Sequence, residues 1–136
     1  MIKNILIVDY KAQVLAVVAK LLKQHNLKDY TAFSGSAALL KLARQDKIYG
    51  LLLTDIDMPE MDGISLVQKA KAIRPAIITV GMSGGMMGEN CKESFDYFLA
   101  KPFGMDELSA MIKTAFSGAP GGKITRQKGR ARGEQF

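Results

Sequence analysis

The feature that most constrains the fold is a regular alternation of short apolar runs with segments of helical period. Five runs are typical of strands: 4–9 (NILIVD), 29–33 (DYTAF), 49–55 (YGLLLTD), 76–82 (AIITVGM) and 95–100 (FDYFLA). Four segments place apolar residues at helical spacing or are rich in helix formers: 11–25, 35–45, 64–73 and 105–116. The predicted apolar face is Val14, Val17, Val18, Leu21 and Leu22 in the first of them, and Leu108, Met111, Ile112 and Ala115 in the last. Strands that alternate with helices across short links predict an α/β fold of (βα)5 type, in which a doubly wound, five-stranded parallel sheet carries helices on both faces.

One connection departs from this alternation. Between the fourth and fifth strands the sequence offers only GGMMGENCKES (84–94), which leaves room for at most one or two helical turns. We therefore expect a shortened fourth-helix region. Its two methionines, Met86 and Met87, either fill gaps in the core or form an adaptable surface for a partner.

Length and charge indicate one domain and a basic tail. A chain of 136 residues is most simply one domain, which we expect at residues 1–117. Residues 117–136 carry five Lys and Arg residues against one Glu, and this Gly-rich stretch lacks hydrophobic periodicity. Residues 118–136 are therefore predicted to be a flexible tail or the stub of a linker. Nucleic-acid binding through the tail is a less favoured alternative, because no aromatic residue interleaves with the basic ones for base stacking.

The rest of the composition excludes several classes of protein. With one cysteine, Cys91, the chain forms no internal disulfide, and with one histidine, His25, it has no Cys/His zinc cluster. No apolar run is long enough for a membrane span, and the first residues reach an acid too soon for a signal peptide. We expect a cytoplasmic protein.

Polar side chains end four of the five predicted strands. These residues are Asp9, Asp55, Ser83 and Lys101. In an open parallel sheet, ligands bind outside the carboxyl ends of the strands, so all four are expected at one rim. Each alone has an ordinary explanation as a turn, cap or surface residue, but together they indicate a site.

The chemistry that suits this set is phosphoryl transfer to a carboxylate. Asp55 would be the nucleophile and would form an aspartyl phosphate. Since carboxylate and phosphoryl group are both anionic, a divalent cation such as Mg²⁺ is needed between them, and Asp9 is placed to help hold it. Lys101 and Ser83 would bind phosphoryl oxygens through an ammonium and a hydroxyl group.

The strings ILIVD, LLLTDIDMPEMDG, VGMSGG and DYFLAKPF, in this order, resemble the receiver domain of two-component response regulators (CheY-like, with a flavodoxin-like fold) over about residues 3–116. The resemblance implies phosphorylation of Asp55 by a sensor histidine kinase or phosphotransfer protein, a requirement for Mg²⁺, and signalling to a downstream protein target or output domain rather than conventional enzyme activity. It also implies that Ser83 and Phe98 are switch residues and that Lys101–Pro102 is a cis peptide. Periodicity alone equally allows Phe98 to be a core residue.

The acidic pair of the family is incomplete in this chain. Where receivers carry two acids before the first helix, the sequence has Asp9 and Tyr10, and a neutral phenol is a poor magnesium ligand. Asp57, two residues after Asp55, is a candidate to restore the missing charge, so the predicted metal ligands are Asp9, Asp55 and Asp57. The alternative is that Asp57 only caps its loop.

Three functions remain open at this point. The first is a receiver that is phosphorylated on Asp55, and the second is a degenerate receiver that binds its partners constitutively without phosphorylation. The third is a phosphatase of the haloacid dehalogenase type, because LLLTDIDMP also resembles the Asp-x-Asp start of those enzymes, with Asp57 as general acid/base. That motif usually lies on a first strand, which disfavours the third function here.

Overall fold

The computed structural model describes residues 4–24, 27–44, 46–84 and 93–117. In chain order the elements are β1 (Asn4–Val8), α1 (Ala12–Gln24), β2 (Lys28–Ala32), α2 (Gly35–Ala43), β3 (Leu51–Asp55), α3 (Gly63–Ile73), β4 (Ile78–Ser83), β5 (Tyr97–Ala100) and α4 (Met105–Ser117). All strand pairs are parallel, and the sheet order is β2-β1-β3-β4-β5. The predicted five-stranded parallel sheet with helices is confirmed.

Alternate residues of the strands face two separate hydrophobic layers. On β1, Ile5 and Ile7 pack with α1 and α4, whereas Leu6 and Val8 pack with α2 and α3. Because successive strand side chains point to opposite faces, an unbroken apolar run such as ILIV is what a sheet covered on both sides requires. The sheet is therefore the middle of three layers.

The helix stripes agree with prediction at one helix and differ in part at another. In α4 the predicted face is fully buried: Leu108, Met111, Ile112 and Ala115. In α1 the buried residues are Leu15, Val18, Leu21 and Leu22. Leu15 was not predicted, while Val14 and Val17 are only partly buried, so the buried stripe of α1 is centred differently from the predicted one.

The fifth strand begins two residues later than its apolar run. Asp96 pairs with β4 through its side chain: its Oδ2 accepts a hydrogen bond from the Thr79 amide at 2.9 Å, and its own amide donates to Thr79 Oγ1 at 3.1 Å. These bonds take the place of a backbone ladder, so regular pairing starts at Tyr97.

Several expectations fall outside the described residues. Most of the connection between β4 and β5, including Met86, Met87 and Cys91, belongs to this group, as do His25 and the basic tail. Within the described part of the chain, no helix has the length and apolar character needed to cross a membrane.

Candidate functional site

The centre of the site is a buried carboxylate at the end of the middle strand. Asp55 is the last residue of β3 and only 3% of its surface is exposed. Burial raises the pKa of Asp55; the Lys101 ammonium opposes this shift, and the negative charges of Asp9 and Asp57 add to it. The carboxylate is thus held where a cation would stabilise it.

Lys101 lies between two buried acids. Its Nζ is 3.5 Å from Asp55 Oδ1 and 3.7 Å from Asp9 Oδ2. The lysine follows β5, two strands away from β3, and its position is set by the bond that its own amide donates to the Ser83 carbonyl at 2.8 Å. The peptide between Lys101 and Pro102 is cis.

Asp9 is fully buried just beyond β1. Its Oδ1 accepts a hydrogen bond from the Lys11 amide at 2.9 Å, as in a turn that starts a helix. Its Oδ2 is buried and has no hydrogen-bond partner. One ammonium therefore stands against two buried carboxylates, which leaves this pocket of the molecule with excess negative charge.

Ser83 and Asp57 form a second pair beside Asp55. Ser83 ends β4 and is 3% exposed, whereas Asp57 lies in the loop after β3 and is exposed. The Ser83 hydroxyl donates to Asp57 Oδ2 at 3.4 Å. The loop is tied to β4 by the bond from the Ile56 amide to the Met82 carbonyl at 2.9 Å, which brings Asp57 next to Ser83.

Close packing of two glycines fixes the frame around these side chains. A Cβ on Gly63, the first residue of α3, would lie 2.5 Å from the backbone oxygen of Asp55. A Cβ on Gly84 would lie 3.1 Å from the Lys101 Cβ. Neither glycine was among the predicted site residues; the D-G pair at 62–63 is the sequence signal that could have pointed to Gly63.

Tyr10 and Phe98 occupy different environments. Tyr10 is 46% exposed, and the Lys11 ammonium lies 5.5 Å from the centroid of its ring. Phe98 is buried in the layer formed with α2 and α3. Tyr10 therefore sits at the rim without adding a carboxylate to it, and Phe98 belongs to the core.

Two of the three predicted metal-binding residues lie on either side of Lys101, and the third makes a different contact. Asp9 and Asp55 both approach Lys101, while Asp57 faces Ser83. Among the described residues, no group of three or more acid, histidine or cysteine side chains is placed to hold a metal ion. Asp9, Asp55 and Asp57 are thus not a ready-made set of three metal ligands.

Two regulators of transcription are similar in sequence to most of this chain. The sequence of Transcriptional regulatory protein ZraR from Salmonella typhimurium (strain LT2) is 31% identical over 119 residues, covering 84% of this chain and 26% of that protein. Transcription factor SKN7 from Chaetomium thermophilum is 27% identical over 114 residues, covering 81% of this chain and 15% of that protein. The chain thus spans about a quarter of the length of ZraR and less of SKN7.

Solved structures share the fold. A CheY-like receiver domain protein from Methanospirillum hungatei JF-1 superposes with a TM-score of 0.78 at 24% identity, covering 86% of this chain and 95% of that one. The response regulator TrrA from Thermotoga maritima, solved in complex with Mg²⁺-BeF, superposes with a TM-score of 0.74 at 22% identity, covering 84% and 99%. The family model of the response regulator receiver domain matches residues 5–113. The chain belongs to the response regulator receiver domain family.

Proposed function

We propose that this receiver domain accepts a phosphoryl group on Asp55 and signals the change through protein contacts. The observation that carries the proposal is the position of Lys101 Nζ, 3.5 Å from Asp55 Oδ1 and 3.7 Å from Asp9 Oδ2. A nucleophilic carboxylate, a cation for the phosphoryl oxygens and a second acid are thereby brought together from three strands. The neighbouring Ser83 adds a hydroxyl donor at the same rim.

The reaction needs little from the protein beyond position and charge. An oxygen of Asp55 attacks phosphorus, the bond from phosphorus to the donor's imidazole nitrogen breaks, and the imidazole leaves with the electron pair of that bond. The ionised carboxylate has no proton to lose, so no general base is required. Lys101 then pairs with the phosphoryl oxygens and Ser83 donates a hydrogen bond to one of them.

The residues present fit a magnesium ion bound with help from solvent. Mg²⁺ in such sites takes one or two carboxylates and completes its shell with waters and phosphate oxygens. Asp9 and Asp55 supply two buried carboxylates, and the buried Asp9 Oδ2 has no hydrogen-bond donor. We propose that these two hold the ion and that Asp57 can add a third, weaker contact from the loop. When bound, Mg²⁺ supplies the positive charge that lets two anions approach.

The partners follow from the same chemistry. We propose a sensor histidine kinase or a phosphotransfer protein as donor, a downstream protein or output domain as target, and the cytoplasm as location. Residues 1–117 would form the receiver and 118–136 a basic tail or linker, because the family model ends at residue 113 and the last of the described helices ends at Ser117.

Intact mass tests the proposal directly. The protein is incubated with acetyl phosphate and Mg²⁺, with and without a metal chelator. We expect an adduct of one phosphoryl group that disappears with chelator and in Asp55→Asn. The control Asp46→Asn changes an exposed acid in the segment that precedes β3 and should keep the adduct. If no adduct forms, or if Asp55→Asn keeps it, phosphorylation of Asp55 is ruled out.

A second function is favoured by Tyr10. Its exposed phenol stands where the family carries an acid, which agrees with a degenerate receiver that binds partners constitutively without phosphorylation. The same experiment separates the two functions, because the degenerate receiver forms no adduct while its sheet and core remain intact.

A further inference from the structure

The contact between Ser83 and Asp57 has a role that phosphoryl acceptance on Asp55 does not require. The Ser83 hydroxyl lies at the buried end of β4 and donates a hydrogen bond to the Asp57 carboxylate, with 3.4 Å between the two oxygens. A serine hydroxyl has one proton to donate. A phosphoryl oxygen on Asp55 would need that same proton, so Asp57 and the phosphoryl group are competing acceptors.

We propose that Asp57 is a positioning residue that holds the Ser83 hydroxyl toward itself until Asp55 is phosphorylated. This rests on the proposed function. The bond is long for an O–H···O⁻ contact, so it biases Ser83 without locking it. Both acceptors are anionic, and release is favourable because the hydroxyl exchanges a long bond to an exposed carboxylate for a bond to the more highly charged phosphoryl group.

A backbone hydrogen bond next to Asp57 explains why this residue of the loop contacts Ser83. The amide of Ile56 is bonded to the carbonyl of Met82, which fixes the loop one residue before Asp57 against the strand one residue before Ser83. Asp57 also contributes to raising the pKa of Asp55, so its charge lies close to the phosphoacceptor. Asp57 is therefore near enough to both groups to link their states.

A double-mutant cycle with beryllofluoride as phosphoryl mimic tests the inference. Binding to the whole chain is measured by calorimetry at saturating Mg²⁺ for the parent, Asp57→Ala, Ser83→Ala and the double variant. Any metal contact made by Asp57 is lost equally in both serine and alanine backgrounds, whereas competition for the hydroxyl exists only with serine. The quantity compared is the change in the beryllofluoride binding constant that Asp57→Ala causes in each background. We expect this change to favour binding by about two- to tenfold more when Ser83 is present than when it is replaced by alanine.

One further variant sharpens the result. Ser83→Thr keeps a hydroxyl and should restore the difference that Ser83→Ala removes. Equal effects of Asp57→Ala in the serine and alanine backgrounds would overturn the inference. If the parent binds no beryllofluoride, the proposed function fails, and the next measurement still decides whether Asp57 holds Ser83.

That measurement uses the free protein. Three-bond couplings in NMR give the rotamer populations of the Ser83 side chain without any phosphoryl mimic. We expect one dominant rotamer in the parent and in the control Asp46→Ala, and averaging over rotamers in Asp57→Ala. Unchanged Ser83 rotamers in Asp57→Ala would show that Asp57 does not position the hydroxyl.

Discussion

Among the individual residues of the site, the charge balance around Lys101 has the largest effect. Its ammonium lies within 4 Å of two carboxylates that are almost completely buried, and a third acid is near. Such an arrangement favours binding of a cation and disfavours the ionised state of Asp55. The residue that supports phosphoryl acceptance is thus expected to lower the stability of the unmodified domain.

Asp55→Asn is expected to stabilise the domain at neutral pH. With its pKa raised in the folded state, Asp55 binds its proton more tightly when folded, so stability falls as pH rises from the ordinary Asp value of about 4 through the raised value. The asparagine removes this penalty and leaves Lys101 paired with Asp9. We expect melting temperatures higher by a few degrees at pH 7, at about 3–5 °C per kcal/mol for a domain of this size.

The advantage of Asp55→Asn should shrink as the pH falls through the raised pKa of Asp55 toward the ordinary Asp value, because the folded parent then binds the proton that removes its buried charge. Thermal melts from pH 4 to pH 8 measure it. A variant that is equally stable or less stable than the parent at pH 7 would contradict this expectation.

Tyr10→Asp is expected to strengthen magnesium binding. The tyrosine is exposed at the rim, so an aspartate adds a carboxylate near the cation position with little loss of packing. We expect the Kd for Mg²⁺ to fall on the order of tenfold, as a further negative charge adds Coulomb attraction. Calorimetry measures the change.

Phe33→Asp is the matched control for Tyr10→Asp. Phe33 is also an exposed aromatic residue just beyond a strand, but it follows β2 at the edge of the sheet. If both variants tighten Mg²⁺ binding equally, the effect comes from net charge and Tyr10 has no special place in the site.

Among the secondary-structure elements, the capped N-termini of two helices hold the rim in place. The first turns of α2 and α3 are capped by Ser34 and Asp62, whose side chains accept from the amides of Ala37 and Ser65. Each of these helices begins with a glycine that is closely packed. Gly35 of α2 packs against a side chain, whereas Gly63 of α3 packs against backbone.

Gly63→Ala should disturb the site, because its Cβ would meet the backbone of Asp55 and Ile56 at 2.5 and 2.8 Å. Backbone cannot move aside cheaply, so we expect a loss of about 1–3 kcal/mol in unfolding free energy. Phosphoryl uptake on Asp55 should fall with it.

Gly35→Ala is the control, since its Cβ would first meet the Met61 sulfur at 2.7 Å, and a methionine can repack. Denaturant unfolding and intact mass measure both variants. Equal losses in the two would mean that the backbone contact of Gly63 is unimportant.

Asp96→Ala should weaken the docking of β5. Burial works to raise the pKa of Asp96, but hydrogen bonds from Thr79 and Lys71 together with the Lys71 charge outweigh it, so the pKa is lowered. The folded state then prefers the ionised form, and its contribution to stability is present above the ordinary Asp pKa and lost as pH falls through the lowered value.

We expect Asp96→Ala to cost about 1–2 kcal/mol at pH 7, as two hydrogen bonds from Thr79 lose their acceptor. Asp46→Ala, which removes an exposed ion pair with Lys47 at 3.7 Å, should cost at most about 0.5 kcal/mol. Denaturant melts compare the two. Similar small losses would show that Asp96 is an ordinary surface acid.

At the scale of the whole molecule, one sheet with two helical layers accounts for the rim. The order β2-β1-β3-β4-β5 places β1 and β4 on either side of β3, so Asp9 and Ser83 flank Asp55. Lys101 reaches in from β5 across β4. Residues separated by up to 92 positions in sequence are thus brought within 4 Å.

Removal of residues 118–136 is expected to leave the domain folded and active as a phosphoacceptor. The two described core clusters draw on residues no later than Phe116. Melting temperature and adduct formation should match the full chain. A clear loss of either would show that the tail belongs to the domain; loss of DNA retention at low salt would instead support the nucleic-acid alternative.

The class of fold and the residues of the rim could be predicted from the pattern of apolar and polar residues along the chain. The alternation of apolar runs with helical segments indicated the order of strands and helices along the chain. Because the carboxyl ends of strands in a parallel sheet share one edge, Asp9, Asp55, Ser83 and Lys101 could be assigned to a common rim. Boundaries were less predictable, as at Asp96, because a side chain that replaces a ladder bond leaves no trace in hydrophobic periodicity.

The pairing of these groups could not be predicted, because it depends on tertiary contacts. Distances depend on rotamers and on backbone contacts between distant segments, such as Gly63 against Asp55, and no local pattern encodes them. Thus Lys101 joins Asp9 with Asp55, Ser83 turns to Asp57, and Tyr10 lies exposed beside them. The sequence determined which side chains reach the rim, and packing between strands that are far apart in the chain decided their partners.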